Sequence, residues 1–176
     1  MRGCEKCRTI AVVMELDKPY RRHCSLFAGI QEYAETATDW KLVTVAYPEL
    51  EVAGGRRFDG IIGRITEECH EAARGAGTPL VNVWLESPLA ERTPGVHVDF
   101  RAAGRMAAEH LVARGLRRLA HFGFAGLTSS RQHHEGMLEV ARAHGIPCYR
   151  HRVSVRFGEG RDRWVRFAGQ LEMIQT

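Results

Sequence analysis

The chain has 176 residues, of which 44% are hydrophobic and 26% charged, and this composition excludes collagen-like, low-complexity and largely disordered proteins. No apolar run approaches the length that crosses a bilayer. The net charge of +4 is spread over scattered arginines, whereas nucleic-acid surfaces carry a clustered basic stripe, so charge alone does not predict DNA contact by this chain. The first residues lack the apolar stretch of a secretory signal, which predicts a cytoplasmic location.

Apolar runs alternate with amphipathic stretches along the chain, which is the pattern of βαβ units on a mainly parallel sheet. The first half is predicted to contain six elements and a last short strand. They are a strand over 9–16, a helix over 21–37, strands over 40–47 and 58–65, a short helix ending at Arg74, a strand over 78–86 and the short strand over 95–99.

The second half repeats the pattern. A helix over 101–114 ends at Gly115, and it is followed by a strand over 117–124, a helix that ends near residue 144, a strand over 149–155 and a helix from 161 onward. We therefore expect an α/β protein with two doubly wound parallel-sheet lobes joined by a hinge, the second lobe being incomplete. The expected organisation is a disordered extension over 1–8, an N-terminal lobe over 9–115 and a partial C-terminal lobe over 116–176.

Charged and aromatic residues follow the strands of this predicted fold. Ligands of open parallel sheets bind beyond the carboxyl ends of the strands, where loops diverge and helices begin. Carboxylates and guanidinium groups can bind sugar hydroxyls in bidentate fashion, and an aromatic ring can cover the apolar face of a pyranose. The candidate ligand-binding residues are Asp17, Tyr20, Arg21, Arg64, Trp84, Asp99, Arg131 and His133.

Motifs of catalysis and cofactor binding are missing from the places where they would be needed. No Gly-rich dinucleotide fingerprint follows the first strand, and no phosphate loop, nucleophile elbow or His-Glu-x-x-His motif occurs in the sequence. Cys4 and Cys7 form a Cys-x-x-Cys pair, but no second pair follows at zinc-binding spacing, and five cysteines without an export signal do not predict disulfides. We expect neither an enzyme nor a cofactor or metal site.

The segment VHVDFRAAGRMAAEHLVARGLRRLAHFGF, residues 96–124, resembles the central signature of LacI/GalR-type sensor domains. In that signature an Asp ends a strand, a Gly-x-x-Ala-x-x-x-Leu helix and a Gly turn follow, and an apolar strand enters the second lobe. The matching residues here are Asp99, Gly104, Ala107, Leu111 and Gly115. The segments FDGII (58–62) and TPLVNV (78–83) are similar as well, and the resemblance extends over residues 9–147.

Within this group the sequence most resembles the xylose-operon regulators, whose DNA-binding module, of the AraC kind, follows the sensor. The resemblance implies a periplasmic-binding-protein-like domain that closes on a monosaccharide and forms a homodimer. It makes Asp99 the best candidate for a ligand contact. At the position where relatives often carry a sugar-gripping Arg, this sequence has His133, with Arg131 two residues earlier.

The resemblance also implies that further βα units and the DNA-binding module follow this segment in relatives. We therefore expect a fragment of a bacterial transcription regulator that contacts operator DNA only through a module absent from this chain. The alternative is a solute-binding component of a sugar transport system, which shares the fold but requires export.

Overall fold

The computed structural model describes residues 7–14, 16, 21–37 and 39–154 of the chain. They divide into two compact units, with the boundary between Val98 and Asp99. The expected disordered extension lies almost entirely outside the described residues, although Arg8 already begins the first strand. The helix predicted from residue 161 onward also lies outside them. No helix among the described residues is long and apolar enough to span a membrane.

The first unit is built around a four-stranded parallel sheet in the order β2-β1-β3-β4. One helix lies between each pair of successive strands in the chain. In chain order the elements are β1 (Arg8–Val13), α1 (Arg21–Ala37), β2 (Trp40–Thr44), α2 (Pro48–Ala53), β3 (Gly60–Gly63), α3 (Glu67–Ala76) and β4 (Leu80–Asn82). Because β2 lies on one side of β1 and β3 and β4 lie on the other, the winding direction changes between β1 and β3.

A continuous apolar core holds this unit together. The strands contribute Ala11, Val13 and Ile61, and α3 contributes Cys69 and Ala73, all of them buried. Burial on both faces explains why β1 and β3 read as nearly unbroken apolar runs in the sequence. Leu89 is completely buried in the same cluster, so the loop that follows β4 closes the core.

Several predicted elements of the first unit differ from the structure. Strands β1 to β4 are shorter than predicted, because their ladders end at Val13, Thr44, Gly63 and Asn82. The strand predicted over 95–99 is reduced to one parallel bridge between Asn82 and Gly95. Helix α2 was not predicted, although Pro48 at its first position, followed by Glu49 and Glu51 in the first turn, is a helix-start signal.

The described part of the second unit, residues 99–154, contains two helices and a two-stranded parallel sheet. Its elements are α4 (Phe100–Ala113), β5 (Leu119–Phe124), α5 (Thr128–Ala143) and β6 (Cys148–Val153). Helices α4 and α5 touch through their backbones, since a Cβ added at Gly104 would collide with the carbonyl oxygen of His133. Their apolar faces form a second core together with the buried strand residue Leu119.

Helices α4 and α5 belong to one compact unit. From the sequence, the helix after Asp99 is expected in a first lobe over 9–115, and these lobe bounds stay a prediction. In the structure α4 packs on α5, and Glu139 of α5 pairs with Arg101 and Arg105 of α4. The second unit therefore begins at Asp99, because the contacts of α4 are made with the elements that follow it.

Candidate ligand-binding cleft

A cleft of about 670 Å³ opens at the carboxyl edge of the first sheet. Val13 and Met14 at the end of β1 line it, Arg64 follows β3, and Trp84 follows β4. The loop after β2 and the start of α3 supply Ala46, Tyr47, Pro48, Glu49, Thr66, Glu68 and Cys69. The cleft thus lies at the point between β1 and β3 where the winding direction changes, which is where ligands of open α/β sheets bind.

The guanidinium group of Arg64 lies over the indole ring of Trp84, 4.5 Å from the ring centroid. A cation at this distance is attracted by the negative face of the ring, and the contact contributes on the order of 0.5–2 kcal/mol. Both side chains are half-buried. The pair forms one wall of the cleft, with a flat apolar surface and hydrogen-bond donors side by side.

A buried amide fixes the loop that carries Trp84. Asn82 is fully buried, its Oδ1 accepts a hydrogen bond from the Trp84 amide at 2.9 Å, and its Nδ2 donates to the Trp84 carbonyl at 3.2 Å. Oδ1 also accepts a longer bond of 3.5 Å from the Ile65 amide. One side chain therefore joins the loop after β3 to the loop after β4, because Ile65 directly follows Arg64.

A hydroxyl group makes a second link between the same two loops. The buried Ser87 donates a hydrogen bond of 2.7 Å to the Ile65 carbonyl and accepts one of 3.2 Å from the Leu89 amide. Buried hydroxyls and amides are costly unless they are paired, and here both are paired. The Arg64 and Trp84 wall is thus held by a satisfied polar network rather than by apolar packing alone.

Two carboxylates also line the cleft. Glu49 lies in the first turn of α2, and Glu68 lies in the first turn of α3. Thr66 caps α3, its hydroxyl accepting a hydrogen bond from the Cys69 amide at 3.3 Å. The backbone amide of Glu68 and the Thr66 hydroxyl donate hydrogen bonds to the Glu68 carboxylate and lower its pKa, so this group is ionised at neutral pH.

Cys69 lies on the floor of the cleft and is almost completely buried. Burial raises the pKa of its thiol to about 11, and the negative charge of Glu49 adds to the effect. Since the thiolate is the reactive form of cysteine, a thiol with this pKa is a poor nucleophile at neutral pH. Cys69 therefore contributes apolar surface and no nucleophile.

The second unit holds three of the sequence-predicted ligand residues. Asp99 caps α4, and its Oδ1 accepts a hydrogen bond from the Ala102 amide at 2.8 Å. One carboxylate oxygen thus stabilises the helix, as the strand-end Asp before a helix would predict. Arg131 forms an ion pair of 2.9 Å with Glu135 one turn later in α5.

His133 belongs to a cluster of aromatic rings between β5 and α5. Its ring centroid is 5.9 Å from that of the buried His121 and 6.2 Å from that of Phe100. The ring centroid of His134 lies 5.6 Å from that of His121. Burial lowers the pKa values of His121 and His134, and neighbouring positive charge lowers them further. Among the described residues, no group of three or more metal-ligating side chains has the geometry of a metal site.

The structure thus brings together two of the eight predicted ligand residues, Arg64 and Trp84, in one cleft. Arg21 begins α1, is exposed, and is not among the described residues that line the cleft. Asp17 and Tyr20 lie outside the described residues. The roles of Asp99, Arg131 and His133 in ligand binding stay predictions, and the structure gives each of them a local partner.

Sequence reasoning missed Glu49, Thr66 and Glu68 as lining residues. Glu49 lies on the helix that was not predicted, and the Pro48 signal would have found it. Thr66 and Glu68 follow β3 by only a few residues, and Thr66 with the acidic residues after it is an N-cap pattern. A search for helix starts after each strand would therefore have added both.

Comparison with known proteins supports the fold. No protein-family profile matches the chain, and no curated protein sequence matches it. Solved structures do match. A periplasmic binding protein/LacI transcriptional regulator from Alkaliphilus metalliredigens, complexed with D-xylulofuranose, has a TM-score of 0.59 at 22% identity, over 86% of this chain and 58% of its own.

Two further solved structures have similar scores. A LacI family transcriptional regulator from Enterococcus faecium with bound ribose has a TM-score of 0.63 at 16% identity, over 94% of this chain and 63% of its own. The transcription regulator CcpA of Lactococcus lactis has a TM-score of 0.61 at 15% identity, over 94% of this chain and 65% of its own. This chain has the periplasmic-binding-protein-like α/β fold of these regulators, and it spans about three fifths of their length.

Proposed function

We propose that this chain is the ligand-sensing part of a bacterial transcription regulator and that the cleft at the carboxyl edge of its first sheet binds a monosaccharide. The proposal rests on the contact between Arg64 and Trp84, in which the guanidinium group lies 4.5 Å from the centroid of the indole ring. Both residues line a cleft at the point between β1 and β3 where the winding direction of this LacI-type fold changes. An indole face covers the apolar side of a sugar ring, and the guanidinium donates to its hydroxyls.

Other lining residues supply the acceptors that a sugar also requires. The carboxylates of Glu49 and Glu68 accept hydrogen bonds, and the Tyr47 and Thr66 hydroxyls can do so as well. Two of the similar solved structures are named as complexes with D-xylulofuranose and with ribose, and both ligands are sugars. A pentose is therefore the first ligand to test here. A closer relationship to xylose-operon regulators with an AraC-type module stays a prediction, as do homodimer formation and contact with operator DNA.

A thermal-shift panel of neutral pentoses and hexoses at millimolar concentration tests the proposal. A ligand present at about 100 times its dissociation constant adds roughly 2.7 kcal/mol to the free energy of unfolding and raises the melting temperature. We expect a selective shift with one sugar or a small set of related sugars, and we expect Trp84→Ala to abolish it. If no neutral sugar shifts the wild-type protein, the sugar-sensing function is contradicted.

One comparison also favours the alternative of a solute-binding component of a transport system, since the Alkaliphilus metalliredigens protein is named both as a periplasmic binding protein and as a regulator. The two functions differ in where the protein works. Fractionation of cells that express the complete gene product separates them. A cytoplasmic product supports the regulator, and a product released with the periplasmic fraction supports the transport component.

A further inference from the structure

The charge of the cleft points to the class of sugar that it accepts. We propose, on the basis of the sugar-sensing function above, that Glu68 makes this cleft selective for neutral sugars and excludes phosphorylated or carboxylated ones. Glu68 lines the cleft from the first turn of α3, where an anionic group of a ligand would otherwise be attracted.

The start of a helix is normally an anion site, because its first amide groups have no partner within the helix and carry partial positive charge. In α3 this position is already filled by the protein. The Thr66 hydroxyl accepts from the Cys69 amide at 3.3 Å, and the Glu68 carboxylate accepts from its own amide and from the Thr66 hydroxyl. A phosphate group of a ligand would have to displace this carboxylate or lie beside it.

The other described lining residues include a second carboxylate and one cation. Glu49 lines the cleft from the first turn of α2, and its negative charge contributes to raising the pKa of Cys69, another lining residue. Among the described lining residues, Arg64 carries the positive charge, and its guanidinium group lies over the ring of Trp84. Two carboxylates and one guanidinium therefore line the described part of the cleft, and we expect net repulsion of a dianionic phosphate by this part.

Ribose 5-phosphate and inorganic phosphate are the probes that test this selectivity, each added at millimolar concentration to the whole chain. Glu68→Gln removes the charge and keeps the size of the side chain. Glu67→Gln is the matched control, because Glu67 lies in the same turn of α3, is exposed, and is not among the described residues that line the cleft. Binding is measured by thermal shift and by titration calorimetry.

We expect the wild-type protein and the Glu67→Gln control to bind ribose 5-phosphate only weakly. We expect Glu68→Gln to bind it at least about tenfold more tightly than the wild type, since one like-charge repulsion at a few ångströms is removed. Glu49→Gln should change affinity in the same direction, and it provides a second variant if Glu68→Gln does not fold. The gain should shrink as salt is added.

The proposal is overturned if the wild-type protein binds ribose 5-phosphate as tightly as Glu68→Gln does, or if neither folded variant gains affinity. Both results leave the sugar-sensing function intact when a neutral sugar still shifts the wild-type protein. In contrast, a panel in which D-ribose, D-xylulose and the other neutral sugars all fail to bind contradicts the sensing function itself.

Discussion

The side chain of Asn82 holds the backbone of Trp84 from both sides, because Oδ1 accepts from the Trp84 amide at 2.9 Å and Nδ2 donates to the Trp84 carbonyl at 3.2 Å. Asn82 is also the last residue of β4 and is fully buried. The position of the Trp84 ring is therefore coupled to the end of the sheet. This coupling gives the cleft one preformed wall before any ligand arrives, which lowers the cost of ordering that binding would otherwise include.

Asn82→Asp should destabilise the protein by about 2–4 kcal/mol, because it removes the donor to the Trp84 carbonyl and places a carboxylate in a fully buried position. Urea denaturation gives the free energy of unfolding. Asn82→Ala should cost less, on the order of 1–3 kcal/mol, since no charge is buried. It should still weaken sugar binding because the Trp84 loop is released. A folded Asn82→Ala protein with wild-type sugar affinity would show that Asn82 does not position this wall.

Gly104→Ala should destabilise the second unit by about 1–3 kcal/mol or more. An added Cβ would collide with the His133 carbonyl oxygen, and helices α4 and α5 would have to separate. Gly29→Ala is the matched control, since Gly29 lies within α1 and a Cβ there has no neighbour within 4 Å. We expect the control to be neutral or stabilising by up to about 1 kcal/mol. Equal unfolding free energies for the two variants would contradict the close helix packing.

The histidine cluster of the second unit should make its stability depend on pH. Burial lowers the pKa of His121 below its usual 6.5, and the charges of His134, His133 and Arg150 lower it further. Burial also lowers the pKa of His134, as does Arg150, while Glu135 acts in the opposite direction. The unfolded chain therefore binds protons more readily than the folded one, and stability falls as the pH drops below about 6.5.

Urea denaturation at a series of pH values between about 7.5 and 5 measures this effect. We expect a loss of stability across this range in the wild-type protein and a smaller loss in His121→Gln. The variant removes one of the groups whose protonation favours unfolding. If the variant and the wild type lose the same free energy between these pH values, His121 does not contribute, and the pH dependence arises elsewhere in the chain.

The parallel α/β architecture could be predicted from the sequence because buried strands leave a strong signal. The apolar runs that became β1, β3 and β5 are each buried on at least one face, and helix α1 spans the predicted residues 21–37. Strand ends were less predictable, since residues such as Arg64 and Trp84 look like strand continuations but turn into the loops. Tertiary contacts decided those positions.

The packing partner of the helix after Asp99 was not predictable for a similar reason. The helix after Asp99 has an amphipathic pattern, and periodicity shows that one face is buried without showing which neighbour covers it. Gly104 and Gly136 decide the matter, because their missing side chains allow α4 and α5 to touch through the backbone. Arg64 and Trp84 were predicted as ligand residues by their places after strands. Asn82 was missed because a single buried amide leaves no periodic signal.

The most direct test of the sugar-sensing cleft is the fluorescence of Trp84 during titration with the neutral sugar that gives the largest thermal shift. Trp40→Phe and Trp164→Phe together leave Trp84 as the remaining one of the three tryptophans. We predict a saturable change in emission, with the same midpoint as titration calorimetry, because the sugar lies against the indole and disturbs the Arg64 contact. A sugar that binds by calorimetry and leaves the emission of Trp84 unchanged would contradict this cleft as the binding site.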